Sequence, residues 1–151
     1  MLGIEDLKSI IMLSDLNDTM FEKMLKVTKK TNYSSGEYIF REGDYAEHLY
    51  SVIEGKVGLE LQKNTSTLVM INTITRGYSL GFSALVDTEQ KKYASHAKAL
   101  TDTKLLKWNG EDLRKLFHKD YEMGYLLMKR IAKIAKKRLQ VRNAQFLEIY
   151  R

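Results

Sequence analysis

The 151-residue chain contains no cysteine and no proline. Without cysteine there are no disulfides and no thiolate metal sites, which fits a cytoplasmic setting. Histidine is scarce as well. His48, His96 and His118 stand far apart, with no His-x-His or Glu-x-x-His pair, so no metal site is expected. No Walker glycine loop occurs, which removes a common signature of nucleoside triphosphatases. No apolar run reaches membrane-spanning length, and the start of the chain lacks the basic, apolar and small-residue order of a signal peptide. The expectation is a cytoplasmic domain that is not an enzyme and uses no metal, cofactor or membrane.

Acidic residues are also missing from one place, the last 31 positions. Residues 121–151 hold eight of the 25 Lys/Arg but only Glu122 and Glu148 of the 19 Asp/Glu. The whole net charge of +6 therefore sits there, and the preceding 120 residues are balanced. A basic helix of this kind attracts nucleic acid or acidic lipid without specificity, although such a face is usually just solvated.

What is present reads as one domain with an ordinary core, at 44% hydrophobic and 29% charged residues. Ile4, Leu7, Ile10 and Ile11 fall at helical spacing, predicting a helix from Ile4 to Leu13. Ser14, Asn17 and Asp18 interrupt it, and Met20, Phe21, Met24 and Leu25 share one face of a second helix. Residues 1–30 are thus assigned to N-terminal helices. From Asn32 the period changes. Short strands over 37–41, 49–53, 57–62 and 68–74 alternate with glycine turns, the pattern of a sandwich or a closed double-sheet barrel over 31–110. Asn109 is placed to cap a helix that buries Leu113, Leu116 and Phe117.

The run from Gly36 to Val57, GEYIFREGDYAEHLYSVIEGKV, closely resembles the cyclic nucleotide-binding domain. That is the sensor module of the catabolite activator protein family and of cyclic-AMP-dependent kinase regulatory subunits. Gly36, Gly43, Gly55, Asp44 and Tyr50 fall where that family has them, and the resemblance covers nearly the whole chain. It implies a mainly β fold, an eight-stranded jelly roll with helices at both ends. Residues 77–99, GYSLGFSALVDTEQKKYASHAKA, then correspond to the family's phosphate-binding cassette. This stretch is expected to open a short helix at Gly81 and to enter a strand near Tyr93.

Gly81 and Ala84-Leu85 match the family's Phe-Gly-Glu-Leu-Ala-Leu pattern, so the resemblance places a ligand against Gly81, Phe82, Ser83, Ala84, Tyr93, Ala94 and Ser95. Two positions depart from it. The glutamate that holds the ribose hydroxyl falls on Phe82, and the arginine that pairs the cyclic phosphate falls on Tyr93. A desolvated bidentate arginine–phosphate interaction is worth about 2–4 kcal/mol. High-affinity recognition of cyclic AMP or cyclic GMP in the family's usual way is therefore not expected. Two readings stay open: a pocket closed by aromatics in a pure interaction module, or a flatter, less anionic small molecule stacking on them.

Residues 121–150 read as one long helix. Met128, Ala132, Ala135, Leu139, Arg142, Phe146 and Ile149 recur at four- and three-residue steps, a heptad seam with one polar member. Leu127, Ile131 and Ile134 form a second stripe suited to the barrel, while Lys129, Lys133, Lys136 and Lys137 face water. In the family this helix joins two protomers, which implies a homodimer, with a protein partner as a further role. The activator's helix-turn-helix follows this helix, and no such module lies before Arg151, so specific DNA binding is not expected.

Overall fold

The computed structural model describes residues 1–150. The chain opens with α1 (Ile4–Lys8) and a 3-10 turn (Ile11–Leu13), followed by α2 (Asp18–Lys26). The single helix expected through Leu13 is therefore broken. The Ile11 N–H donates to the Gly77 carbonyl at 2.9 Å instead of continuing the helical ladder, so a tertiary bond overrides local spacing. α2 follows the sequence reading. Asn17 accepts from the Met20 N–H at 2.9 Å, and Met20, Phe21 and Met24 are buried.

Eight strands follow: β1 (Lys29–Tyr33), β2 (Tyr38–Phe40), β3 (His48–Glu54), β4 (Val57–Asn64), β5 (Thr67–Ile74), β6 (Ser79–Leu80), β7 (His96–Ala99) and β8 (Thr103–Asn109). They form two four-stranded sheets, ordered β1-β8-β3-β6 and β2-β7-β4-β5, in which the pairings are antiparallel. This is the jelly roll that the resemblance implied. β1 begins before residue 31 and inside the span assigned to helices. It is a polar edge strand, KKTNY, paired with β8 from Lys29↔Lys107 to Tyr33↔Thr103, so no apolar alternation announces it.

The core fills the space between the sheets and runs on under the helices. Trp108 is fully buried, and its indole N–H donates to Thr28 Oγ1 at 2.7 Å, which satisfies the one polar atom that the ring brings inside. Val52, Leu80, Leu105 and Leu106 of the same sheet are buried in the same core cluster. α3 (Gly110–Lys119) starts directly from β8, where Asn109 accepts from the N–H groups of Glu111 and Asp112 at 2.9 and 3.2 Å. A Cβ on Gly110 would stand 2.1 Å from the Ala84 carbonyl oxygen, so only glycine lets α3 begin against residues 82–84.

α4 (Tyr121–Glu148) is capped by Asp120, which accepts from the Met123 N–H at 3.1 Å and from Lys23 Nζ at 2.9 Å. Leu127 and Ile131 are buried and Ile134 is half-buried, so the second stripe packs as expected. Arg130 holds Asp15 through two bonds of 3.1 and 2.8 Å. No helix among the described residues is long and apolar enough to cross a membrane.

Asp120 gives a pH signature. The Lys23 ammonium, then the Met123 N–H, hold its carboxyl below the ordinary carboxylate value. The unfolded chain therefore takes up this proton more readily than the folded one. The stabilisation is present above the unfolded pKa of about 4 and fades as pH falls through the lower folded value. Asp120→Asn should accordingly flatten the loss of thermal stability on acidification below that point. Parallel wild-type and variant curves would remove this role.

Candidate functional site

The cassette departs from a helix start in its first turn. After β6, Gly81 adopts φ +83 and opens only a 3-10 turn, Phe82–Ala84. The Ala84 N–H returns to the Gly81 carbonyl at 3.1 Å, and a turn this short does not accumulate a helix dipole. Residues 87–95 then run without regular structure, and the strand expected near Tyr93 begins at His96. The register is fixed later, where β7 pairs with β4 from Glu60↔His96 to Val57↔Ala99.

Tyr93 is turned into the barrel. Its ring stacks on Phe40 at 3.7 Å with an 8° interplanar angle. Its hydroxyl donates to the His48 carbonyl at 2.6 Å and accepts from the His48 N–H at 3.1 Å. Burial pushes its pKa up to about 12, with the His48 bond opposing, so the phenol stays protonated and a donor at neutral pH. Tyr93 thus braces the cassette loop to β3. Phe82 lies half-buried on the other side of the turn, and the Arg138 guanidinium sits 5.2 Å from its ring centre.

Arg138 comes from α4 and bonds the cassette directly, donating to the Ser79 carbonyl at 2.7 Å. One turn later Arg142 donates to the Ile71 carbonyl on β5 at 3.0 Å. Between these two clasps lies a cavity of about 330 Å³. Its barrel wall is Leu59, Ile71, Asn72, Ala94 and Ser95, and its helix wall is Lys137, Arg138, Val141, Arg142 and Gln145. Burial lowers the pKa of Arg138, whose guanidinium meets a carbonyl and a ring but, among the described residues, no carboxylate.

Of the residues expected around a ligand, Ala94 and Ser95 therefore face the cavity, and Phe82 lies beneath Arg138 at its edge. Gly81 and Ser83 are half-buried, and Ala84 is fully buried with its carbonyl against Gly110. Sequence reading left Arg138 without a role and gave Arg142 only a place in the seam, yet they are the polar contacts from α4 to the barrel. A signal existed: steps of four and three carry the stripe Leu127, Ile131, Ile134 on to Arg138, Val141 and Gln145. On the proposed seam, Ala132, Ala135, Leu139, Phe146 and Ile149 are exposed and Met128 is half-buried, while Arg142 turns back to β5.

The site is thus a short turn after a glycine in a two-sheet jelly roll, with one helix lying over a cavity beside it. A family model described as the cyclic nucleotide-binding domain matches residues 30–120, and the chain belongs to that family of regulatory domains. Among solved structures, a Geobacter metallireducens protein described as a cyclic nucleotide-binding protein is 25% identical. That likeness covers 92% of this chain and 99% of that one, with a TM-score of 0.79. The catabolite activator protein of Thermus thermophilus has the same fold at 23% identity and a TM-score of 0.76, over 92% of this chain and 62% of its own. So does the regulatory subunit of a cAMP-independent protein kinase A from Trypanosoma brucei, at 16% identity and a TM-score of 0.77, over 95% of this chain and 50% of its own.

Proposed function

We propose that this chain is a non-catalytic regulatory domain that does not grip cyclic AMP or cyclic GMP in its family's manner, and that its output passes through α4. The observation that supports this is the engagement of Tyr93. At the position where the family pairs the cyclic phosphate, both bonding directions of the phenol are taken by the His48 backbone and one ring face by Phe40. Phe82 offers no acceptor to a ribose hydroxyl. The fold itself accommodates regulation without cyclic AMP, as the Trypanosoma subunit's description states for that protein.

In this reading α4 is the moving part. Arg138 and Arg142 hold it to the barrel through two guanidinium–carbonyl bonds, each worth about 1.5–3 kcal/mol, so the polar contacts that a movement of α4 has to release are few. Two copies join through the seam on the same helix, in the cytoplasm, and movement of α4 against the cassette changes how they meet. Calorimetric titration of cyclic AMP and cyclic GMP into the protein tests this. Losing the arginine pair alone removes about 2–4 kcal/mol, roughly 30- to 1000-fold in affinity, and Phe82 removes the ribose contact as well, so no binding at micromolar concentration is expected. A micromolar dissociation constant for either nucleotide overturns the reading.

A further inference from the structure

We infer that the cavity under α4 takes an organic anion with a flat apolar body, its charged group held from the helix by Lys137 and Arg142 and not by the cassette. The inference rests on the reading of Tyr93 and Phe82 above and names the class of ligand for that same pocket. Two properties of the lining lead to it. Leu59, Ile71 and Val141 give it apolar walls, and about 330 Å³ suits one or two fused rings. Three cations also converge there from consecutive turns of one helix, with no carboxylate in the lining.

None of Lys137, Arg138 and Arg142 is in an ion pair among the described residues. Two other half-buried cations are paired with acids, Lys91 with Glu111 at 2.9 Å and Arg130 with Asp15 at 2.8 Å, and neither acid lies in the cavity wall. Positive charge left uncompensated beside low-dielectric walls focuses a field that draws anions. Partial desolvation of Arg138 adds to this, because a guanidinium bonded only to a carbonyl gains from an anion nearby. Asn72, Ser95 and Gln145 supply neutral donors around the same space. Such a ligand touches barrel and helix together, so binding it fastens α4 in place.

Calorimetry with four probes tests this on the full chain: 1-naphthyl phosphate, 1-naphthoate, 1-naphthol and inorganic phosphate. The two naphthyl anions should bind, with naphthol and inorganic phosphate at least ~10-fold weaker, since each lacks one half of the recognition. The order of the two anions tells a phosphate ester from a carboxylate as the natural class. Arg142→Gln and Lys137→Gln, both at positions that stay solvent-accessible at the rim of the cavity, should each weaken the better anion about 10-fold, and added salt should do the same. Naphthol binding as tightly as the anions, neither substitution mattering, or no binding of either anion at millimolar concentration overturns the inference. The last outcome leaves the reading of the cassette intact. Micromolar cyclic AMP binding that is lost in Arg142→Gln would instead overturn that reading and keep the cationic wall.

Discussion

Tyr93→Ala should lower the unfolding free energy by about 3–5 kcal/mol, the range for deleting a buried aromatic ring that its neighbours cannot replace. The ring is 6% exposed and lies flat on Phe40, so its removal opens a cavity beside the barrel wall and strips one face of Phe40. Tyr93→Phe separates packing from bonding. It keeps the stack but leaves the His48 carbonyl and N–H without their partner, which should cost about 1–2 kcal/mol. Tyr93→Arg, which writes the family's residue back, should be as damaging as alanine, because it places a guanidinium where Phe40 and the His48 backbone offer no anion. It should not create cyclic nucleotide affinity. Denaturant melts of the three variants measure this, and a loss below about 1 kcal/mol for Tyr93→Ala would mean that the residue is not a brace.

This residue also marks the limit of what the sequence conveyed. The barrel was readable because its strands carry alternating apolar residues between glycines that need positive φ, Gly43 at +88 and Gly55 at +97 among them. A cap such as Asn109 is local chemistry and was readable for the same reason. β1 was not, since a polar edge strand gets its structure from β8 and not from its own pattern. The break after α1 depends on Gly77, far along the chain. The resemblance puts Tyr93 where the family has an arginine, but does not tell that the phenol turns inward to His48, which depends on how β2 and β3 pack. Arg138 was hidden differently. It sits among basic residues that read as one solvated face, and only the geometry separates the cation on the cassette from those in water.

Leu139→Arg or Phe146→Asp should convert a dimer into a monomer, read by light scattering as a fall from twice to once the 17.5 kDa chain mass. Beyond Ile134 the barrel covers little of α4. Leu139 is 59% exposed, Phe146 55% and Ile149 75%, on the side next to the stripe that faces the cavity. An isolated helix end in water gains little from its own propensity, so these apolar side chains need cover to stay helical. A second copy of the same helix is the cover we propose, because it matches the heptad spacing. Arg142 does not spoil the match, because it already leans to the Ile71 carbonyl and keeps its charge out of the seam. Each substitution puts two charges per dimer into that seam, costing roughly 2–5 kcal/mol, or about 30- to 5000-fold in the dimer constant. A wild-type monomer at tens of micromolar, or a dimer indifferent to both changes, removes the interface. If the dimer stands, seam and cavity share one helix, and linkage requires that an anion fastening α4 shift the dimer constant by the same factor that dimerisation shifts the anion's affinity. Repeating the scattering titration with 1-naphthyl phosphate measures that factor directly.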